Sequence, residues 1–568
     1  MKNLAKQVIK NGGSIVPLII DSSKTNGTGL MNPSIFNDNG KLILNLRHVQ
    51  YTLYHTRGKF ENRYGPLAYL NPENDATLRT TNYFCSLDNN LSITSFNKVD
   101  TSKHDITPIW EFIGLEDARL VRWDNKLYIC GVRRDTKDNG EGRMELSELK
   151  ISSNKVEEIS RFRIPAPIND DTSYCEKNWM PILDMPYHFI KWTNPTEVVK
   201  VDPIEKTCTQ VFLGQPYSTK RDIRGGSHVI TISDYKVAIT HEVDLWRNKN
   251  NNKEATYRHR IVTWDKDWNV VNISDEFDFM TGTIEFCTGM CVYNNDVLIS
   301  FGYEDNAAYL LKVPMDYFYD LIKPKNKFEN FPKTYCVSYI DNKNRRDNLI
   351  EEFNQLNIPL PEFIISTKES DNQNIVKGKY IHQLDNQTLN CAISHLKAIK
   401  EWYNNSNEDY ALFLEDDITF KTSKYWNFTW DELIKNLPTD WECIQLMSIR
   451  PDFTEIKLQP RQWDDWSATA YLITRDYAKK IINEYCIKEN EYDLTIKREE
   501  IMPLVENIVY DLGKTYCIPL LVEDTNSPST FYQKSMVEEH KTDHVYASNF
   551  IANWWKENGC KYTINELI

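Results

Sequence analysis

The hydrophobic pattern of this chain of 568 residues changes once, near residue 325. Before that point, short runs rich in β-branched and aromatic residues are separated by polar turns, as in LVRW-DNK-LYICGV at residues 120–132. After it, strand-like runs alternate with longer segments whose apolar residues recur at helical spacing. This change of pattern predicts two parts of different fold class, an all-β part followed by an α/β part.

The hairpins of the all-β part recur at regular intervals, with Asp, Asn and Gly in their turns. This spacing favours the four-stranded blades of a β-propeller over a β-sandwich, although no motif repeats from blade to blade. We predict an N-terminal extension over residues 1–27, the propeller over 28–315, a linker over 316–332 and an α/β nucleotide-binding domain over 333–568.

The composition limits the classes of partner that the protein can bind. A net charge of −14 leaves no surplus of Lys and Arg for nucleic acid or an anionic membrane. The 15 Trp and 31 Tyr supply rings that could stack on sugars. The apolar stretch at residues 15–20 is too short for a signal peptide, and no run could span a bilayer. We therefore expect a cytoplasmic protein whose 12 scattered cysteines are reduced.

The run YALFLEDD at residues 410–417 predicts a buried strand that ends in three consecutive carboxylates. Such crowding costs stability unless a cation, a sugar hydroxyl or solvent relieves it. In open α/β sheets the ligand crevice lies beyond the carboxyl ends of the strands. Carboxylate oxygens suit Mg²⁺ or Mn²⁺, so we predict a metal site with Asp417 as its main ligand. A solvated acidic turn is the alternative.

Four segments of the second part occur in a recognisable order: CVSYIDNKNRRDNL, LNCAISHLKAIKEW, YALFLEDDI and SATAYLITRDYAKKII. Together they resemble glycosyltransferase family 25, which includes lipooligosaccharide and collagen galactosyltransferases, over roughly residues 333 to 535. The resemblance implies a GT-A fold, a UDP-sugar donor, Mn²⁺ or a similar ion, and inversion at the anomeric carbon. It also implies that Glu415 and Asp416 contact the donor, with Asp416 close to the metal.

Other residues of this half are candidates for donor or metal binding. Arg345 and Arg346 follow the first predicted strand, where they either bind the diphosphate or uracil or simply begin a solvated helix. Ser394 and His395 either line the donor pocket or pack within their helix. A late histidine could complete the metal site, as His540 or His544, or lie on the surface.

Inverting transfer needs a base that takes the proton of the acceptor hydroxyl, usually a carboxylate. Family members carry an acid in a Pro-x-x-acid segment, and here Glu506 follows Pro503. The family more often shows Asp at closer spacing, so Glu506 departs from the pattern. Asp465 and Asp464 are the rival bases, and the Trp residues on either side of this pair could form an acceptor platform or be buried.

The first half carries GLEDAR, EKNWMP, RGGSH, EFCTGM and ISFGYEDNAAYLLKV in that order. These motifs resemble the five-bladed propellers of glycoside hydrolase family 130, which contains mannoside phosphorylases and related mannosyltransferases. The resemblance implies that Asp117 protonates the glycosidic oxygen while Glu116 and Arg119 hold its geometry and charge. Ala118 stands where the family usually has Pro.

Phosphorolysis also needs a cationic pocket, because a phosphate dianion must approach the anomeric carbon. The candidates for this sugar and phosphate pocket are Arg47, Arg119, Lys177, Asn178 and His228. A structural salt bridge within a blade is the alternative for the acidic motif.

These observations predict a modular enzyme of glycan assembly. Its C-terminal domain would transfer a hexose from a UDP-sugar to a glycan or other hydroxyl acceptor, using Mn²⁺ or Mg²⁺, and the propeller would be a second sugar-active or glycan-binding module. Two alternatives remain open: a propeller phosphorylase or mannosyltransferase with a degenerate C-terminal partner, and a non-enzymatic glycan-binding scaffold. The identity of the sugar, the acceptor and the oligomeric state is not predicted.

Overall fold

The computed structural model describes most of the chain, namely residues 2–25, 29–50, 60–61, 68–69, 77–153, 155–167, 174–216, 222–249, 251, 253–366, 375–378, 386–450, 454–488, 491–495, 504–524, 537–559 and 562–568. The chain forms two compact units, residues 1–325 and residues 326–568. The first is built almost entirely of strands and the second alternates strands and helices, which confirms the two predicted fold classes.

The first unit begins with a short strand, a helix and a second strand, and most of its other elements are strands. These elements are β1 (Lys2–Asn3), α1 (Leu4–Lys10), β2 (Ser14–Pro17), β3 (Leu30–Asp38), β4 (Lys41–Val49), β5 (Phe60–Glu61), β6 (Ala68–Tyr69), β7 (Leu78–Leu87), β8 (Ile93–Asp100), β9 (Phe112–Ile113), β10 (Glu116–Trp123), β11 (Lys126–Arg133), β12 (Arg143–Ser152), β13 (Lys155–Arg163), β14 (Met180–Pro181), β15 (His188–Trp192), β16 (Glu197–Asp202), β17 (Thr207–Leu213), β18 (Arg224–Gly225), β19 (Ile230–Ile232), β20 (Tyr235–Arg247), β21 (Lys253–Trp264), β22 (Val270–Ile273), β23 (Phe277–Asp278), β24 (Glu285–Tyr293), β25 (Asp296–Tyr303), β26 (Ala307–Pro314) and α2 (Met315–Ile322).

The strands of the first unit form five successive antiparallel meanders. The first pairs β3, β4, β7 and β8, and the second pairs β10 to β13. The third pairs β14 to β17, and in the fourth β18 and β19 share one side of β20, with β21 and β22 beyond it. The fifth pairs β24, β25, β26 and β2. Sequential four-stranded meanders are the arrangement of propeller blades.

The fifth meander is closed by a strand from the other end of the unit. Ser14 of β2 pairs with Lys312 of β26, and Pro17 pairs with Tyr309. The segment that the sequence analysis set apart as an N-terminal extension thus supplies the last strand of a sheet. Its helix α1 also buries Leu4 and Val8 in the same core as Phe318 of α2.

The first strands of three meanders are joined by side-chain hydrogen bonds. Ser34 of β3 accepts a hydrogen bond from the Leu120 amide of β10, and Thr288 of β24 donates to the Pro33 carbonyl of β3. Tight turns follow from local sequence: Asp124 and Asn125 adopt φ of +49° and +62° between β10 and β11. Asp and Asn tolerate this conformation well, so the predicted DNK hairpin is confirmed.

The second unit alternates strands with helices. Its elements are β27 (Thr334–Tyr339), α3 (Lys343–Gln355), β28 (Glu362–Ser366), β29 (Val376–Lys377), α4 (Asn386–Asn405), β30 (Tyr410–Glu415), β31 (Ile418–Thr419), α5 (Trp430–Asn436), β32 (Cys443–Gln445), β33 (Gln459–Pro460), β34 (Ala470–Thr474), α6 (Arg475–Tyr485), β35 (Cys486–Lys488), β36 (Glu491–Asp493), α7 (Val505–Tyr510), β37 (Thr515–Cys517), β38 (Val522–Glu523), α8 (Val537–Asn558) and α9 (Ile564–Leu567).

The main sheet of this unit runs in the order β28-β27-β30-β34-β32-β37-β33. β27 is parallel to both β28 and β30, whereas β34 is antiparallel to its neighbours β30 and β32. Both faces are buried, because alternate residues of β30 enter different cores: Leu412 and Leu414 pack with α3 and α8, and Ala411 and Phe413 pack with α4 and α6. The strand predicted from YALFLEDD and the helix predicted from LNCAISHLKAIKEWYNN are confirmed.

One strand is shorter than the apolar run in which it lies. Within WECIQLMSI, only Cys443–Gln445 forms a strand. Beyond it, the Leu446 carbonyl accepts hydrogen bonds from the amides of Leu520 and Leu521. The cysteines that the structure describes are free thiols, most of them buried. No helix in the described part of the chain is both long and apolar enough to cross a bilayer.

Candidate active sites

The acidic cluster of the second unit forms where β30 ends. Glu415 is the last residue of the strand, and Asp416 and Asp417 make the turn into β31. β31 pairs with β38 at Ile418–Glu523, and the Asp524 amide donates to the Asp417 carbonyl over 2.6 Å. Two further carboxylates, Glu523 and Asp524, therefore join the three that the sequence analysis identified.

Asp416 is held firmly by its neighbours. Its carboxylate accepts hydrogen bonds from the Ser338 hydroxyl at 2.6 Å, the Asn342 amide at 3.0 Å and the Arg345 guanidinium at 3.1 Å. Its side chain is only 5% exposed. These contacts join the end of β30 to the loop between β27 and α3, so Asp416 organises the site.

Asp417 is less completely satisfied. Arg345 contacts its Oδ2 at 3.1 Å, but its Oδ1 has no hydrogen-bond partner among the described residues. Burial, followed by the charges of Glu523 and Glu415, raises the pKa of Asp417 well above its usual value, and Arg345 only partly opposes this. Asp417 therefore carries an oxygen that lacks a partner within a strongly negative cluster.

A cleft of about 350 Å³ lies beside these carboxylates. Its lining includes Asp416, Asp417, Asp524, Arg345 and Lys421. The acids thus face a concave surface, and Arg345 is the guanidinium that reaches both Asp416 and Asp417 there. Arg345 was predicted either to bind the diphosphate or uracil or to begin a solvated helix. Its guanidinium forms ion pairs with both Asp416 and Asp417.

Arg346 occupies a different position. Its guanidinium donates to the Ser338 hydroxyl at 2.7 Å and to the carbonyls of Tyr339 and Ile340 at 2.6 and 2.9 Å. These bonds fix the loop after β27. The structure therefore gives Arg346 a role in supporting the loop, apart from the acidic cluster.

The helix α4 brings His395 to Glu415, with Nε2 at 3.3 Å from Oε1. Ser394, next to it, is buried at 4% exposure. Burial raises the pKa of Glu506, and the nearby charge of Glu415 adds to this while His395 opposes it. His395 and Glu506 therefore lie near Glu415, and Ser394 is buried next to His395 on α4.

The rival base Asp465 has a different environment. It is fully buried, forms an ion pair with Arg450 at 2.7 Å, and accepts hydrogen bonds from the Ser448 hydroxyl and the Gln462 amide. Such a satisfied carboxylate favours a structural role over proton transfer. Trp463 and Trp466 beside it are 80% and 41% exposed, so these two rings are not buried.

Of the two late histidines, His544 joins the cluster. Its Nδ1 lies 2.5 Å from Glu523 Oε2. Burial alone would lower the pKa of His544, but the Glu523 carboxylate outweighs this and raises it. The side chain of His540, the predicted metal ligand, lies outside the described residues. Sequence reasoning missed Glu523 and Asp524, although the apolar run LLV before them repeats the pattern of β30.

The first unit has its own acidic site, built on a bulge in β10. The register with β11 shifts between Glu116 and Arg119, and Asp117 adopts φ of +50°. Gly131 on β11 lies against this bulge, where a Cβ would meet the Glu116 carbonyl at 2.2 Å. Bulges commonly turn side chains toward functional sites, and this one departs from the regular alternation of the strand.

Asp117 accepts hydrogen bonds from the Asn32 amide and the Arg47 guanidinium, both at 2.7 Å. Burial raises the pKa of Asp117, but Arg47 and Asn32 outweigh it and hold the pKa below its usual value. Arg47 also lies 3.7 Å from Glu116, whose pKa is raised by burial against the pull of Arg47. Arg47 therefore forms ion pairs with both predicted acids.

The sequence analysis missed Asp305, which lies in the turn between β25 and β26. Burial raises the pKa of Asp305 to about 7, Arg47 opposes this, and the charges of Asp117 and Glu116 add to it. The motif GYEDNAA was recognised, but nothing in it singled out this aspartate. The site thus pairs Asp117, which is held ionised and so lacks the proton that its implied role as the acid needs, with an aspartate that titrates near neutral pH.

The other predicted residues of this site differ in burial and in charge. Arg119 is fully buried, and it donates to the carbonyls of Gly226 and Asp117 while its Nη2 has no partner among the described residues. Burial lowers the pKa of His228 to about 3, so this histidine is neutral and adds no positive charge to a phosphate pocket. Lys177 is exposed and Asn178 is buried at 8% exposure.

Part of the chain matches the model of a known family. Residues 331–496 match the model of glycosyltransferase family 25 (LPS biosynthesis protein), which confirms the resemblance of the second half. No curated protein matches the chain.

Several solved structures resemble the N-terminal region. One is a β-1,2-mannobiose phosphorylase from Listeria innocua, at 11% identity, 52% coverage of this chain, 92% of that chain and a TM-score of 0.33. Two are from Leishmania mexicana. The mannose phosphorylase MPT-4 has 10% identity, 57% coverage of this chain, 95% coverage of that chain and a TM-score of 0.32. The GDP-Man-dependent mannosyltransferase MPT-1 has 12% identity, 55% coverage of this chain, 94% coverage of that chain and a TM-score of 0.32. The match to the glycosyltransferase family 25 model thus covers residues 331–496, within the second unit of a chain whose first unit is built almost entirely of strands.

Proposed function

We propose that the second unit is a metal-dependent GT-A glycosyltransferase that moves a hexose from a UDP-sugar to a hydroxyl acceptor with inversion. The observation that carries the proposal is the acidic cluster at the end of β30, beside a cleft and inside the segment that matches family 25. The mixed sheet, with ligand-facing acids at a strand's carboxyl end, is the setting in which α/β proteins bind nucleotides.

The donor set fits a hard divalent ion such as Mn²⁺ or Mg²⁺. Asp417 Oδ1 lacks a hydrogen-bond partner among the described residues, and the carboxylates around it raise its pKa. A bound cation would relieve that repulsion, with Asp417 as its main ligand and Asp524 or Glu523 close by. When bound, the ion supplies positive charge to the diphosphate as the nucleotide departs.

The residues of the chain have separate tasks in this proposal. Arg345 and Asp416 hold Asp417 in position through their mutual contacts. Glu506, whose pKa is raised by burial, takes the proton of the acceptor hydroxyl as the new glycosidic bond forms. Glu415 positions the donor from the end of β30.

The test is the variant Asp417→Asn in the full chain, assayed for UDP release from a panel of UDP-hexoses with Mn²⁺. We expect kcat to fall by about 100-fold or more, because a ligand to the ion is lost. Asp347→Asn, an exposed position on α3, is the matched control and keeps full turnover. Wild-type turnover in Asp417→Asn would refute the metal assignment.

The geometry of the first unit supports a second candidate function, glycosyl transfer or phosphorolysis at the bulge of β10. Asp117 is held as a carboxylate by Arg47, Asp305 titrates near neutral pH, and Arg119 has a buried Nη2 without a partner among the described residues. Two acids whose pKa values are pushed apart are typical of acid–base pairs at glycosidic bonds. The buried guanidinium could bind a phosphate oxygen.

Mannose-1-phosphate with a mannoside acceptor tests this second function. Transfer breaks the bond between C1 and the phosphate oxygen, forms a bond to the acceptor hydroxyl, and releases phosphate. We expect phosphate release by the wild-type chain and by Asp234→Asn, an exposed turn variant, and its loss in Asp117→Asn. A glycan-binding role without catalysis would be indicated if the wild-type chain released no phosphate.

A further inference from the structure

Three side chains with metal-binding atoms converge in the second unit. Cys391 and His395 lie one helical turn apart on α4, so both face the same side, and Glu415 reaches them from the end of β30. Their ligand atoms all lie within 4.8 Å of one another. Glu415 Oε1 is 3.7 Å from Cys391 Sγ and 3.3 Å from His395 Nε2.

The two separations that involve Glu415 Oε1 are close to the edges of a tetrahedral metal site. Bonds of roughly 2.3 Å to sulfur and roughly 2.0–2.1 Å to nitrogen and oxygen, at tetrahedral angles, place sulfur and oxygen about 3.6 Å apart. The same bonds place nitrogen and oxygen about 3.3 Å apart. The distances of 3.7 and 3.3 Å from Glu415 Oε1 are therefore compatible with an ion bound between the three side chains.

The histidine is also oriented as a metal ligand. The hydroxyl of Tyr471 lies 2.8 Å from Nδ1 of His395, and its ring stacks on the imidazole. When Nδ1 donates its proton to that hydroxyl, the lone pair of Nε2 points to Glu415. Metal-bound histidines commonly have their other nitrogen hydrogen-bonded in this way.

The charges around the three residues favour a cation. Glu506 acts electrostatically on both Cys391 and Glu415, so two carboxylates and one thiol share the space. Among the described residues, no arginine or lysine forms an ion pair with Glu415 or Glu506. Cys391 and His395 are 9% and 0% exposed, and the Glu415 side chain, at 15%, keeps one side accessible.

We propose that Cys391, His395 and Glu415 bind a zinc-type divalent ion, separate from the hard ion proposed at Asp417. Thiolate and imidazole select such a borderline-soft metal over Mg²⁺ or Mn²⁺. Three protein ligands leave a fourth position for water or a neighbouring carboxylate. Binding replaces the thiol proton of Cys391, which is released to solvent. The ion ties α4 to the end of β30, next to the acidic turn.

Cobalt is the probe for this site, because a thiolate bound to Co²⁺ gives a charge-transfer absorption that oxygen ligands do not. The full chain is stripped with a chelator and titrated with Co²⁺ in excess Mg²⁺, which occupies hard sites. We expect one Co²⁺ per chain with the thiolate band. Cys391→Ser abolishes the band, whereas Cys486→Ser, a half-buried thiol at the end of α6, retains it.

Tyr471→Phe tests the orientation of His395. Loss of the hydroxyl that holds Nδ1 should weaken Co²⁺ binding by about 10- to 100-fold while the band itself persists. Thermal unfolding of each apo variant checks that the fold is kept.

The proposal is overturned if the wild-type chain shows no thiolate band, or if the band survives in Cys391→Ser. In either case Cys391 and His395 form only hydrogen bonds with Glu415. Asp417→Asn separates this site from the proposed transferase site, because it should keep the cobalt band and lose Mn²⁺-dependent binding of UDP.

Discussion

At the scale of single residues, both units place carboxylates in pairs with opposite behaviour. Asp416 is fully hydrogen-bonded by Ser338, Asn342 and Arg345, whereas Asp417 next to it has a raised pKa. In the first unit, Arg47 keeps the pKa of Asp117 low, while burial raises the pKa of the nearby Asp305. In each case one acid is structural or ionised, and the other is available for a proton or a cation.

The pH dependence of Asp305 follows from its pKa of about 7, against roughly 4 for an aspartate in the unfolded chain. At a pH above the pKa that Asp305 has in the folded chain, its ionised carboxylate lowers the stability of the fold. This destabilisation disappears as the pH falls toward the pKa of the same group in the unfolded chain. We expect Asp305→Asn to raise the free energy of unfolding of the first unit by about 2–3 kcal/mol near pH 8.5, and to leave it almost unchanged near pH 4.5.

Denaturant unfolding at both pH values measures this difference, with the exposed Asp234→Asn as control. An effect of Asp305→Asn that is equal at the two pH values would contradict the raised pKa of Asp305.

At the scale of elements, the first unit depends on its own beginning for closure. β2 covers the edge of β26, and α1 adds apolar side chains to the core beneath it. An uncovered β26 would present unpaired backbone groups, which is a common route to aggregation. The segment before residue 28 therefore belongs to the fold of the unit.

Val8 on α1 tests this dependence, because it is fully buried and packs tightly against Gly13. We expect Val8→Ala to lower the free energy of unfolding of the first unit by about 1–3 kcal/mol, since it leaves a cavity. Ile9, the next residue, is 53% exposed, and Ile9→Ala should change the free energy by less than about 0.5 kcal/mol. Urea unfolding measures both, and equal effects would show that α1 does not pack as described.

At the scale of the whole molecule, the chain combines two units that each have their own buried cores. Two cores of different composition need not unfold together, so a single unfolding free energy does not describe this protein. A ligand that binds one unit stabilises that unit alone unless the two are coupled.

Calorimetric unfolding of the full chain should therefore show two transitions. UDP with Mn²⁺, at about 100 times the dissociation constant, should stabilise the transition of residues 326–568 by about 2.7 kcal/mol and leave the other in place. Val8→Ala identifies the transition of the first unit by lowering it. One concerted transition that shifts as a whole with UDP would contradict independent unfolding.

The sequence by itself determined the two fold classes, the strand β30, the helix α4 and the gathering of Glu415, Asp416 and Asp417 at one strand end. It could do so because periodicity and adjacency along the chain are local properties. The resemblance of residues 331–496 to family 25 was likewise recognisable from the order of their motifs.

Only the tertiary structure decided which of these groups are free to act. Pairing of β31 with β38 brings Glu523 to the cluster, Arg345 forms ion pairs with Asp416 and Asp417, and burial makes His228 neutral. It also raises the pKa of Asp305. Burial and contacts between residues distant in the chain set these properties, because desolvation and charge pairing depend on three-dimensional neighbours that no local pattern encodes.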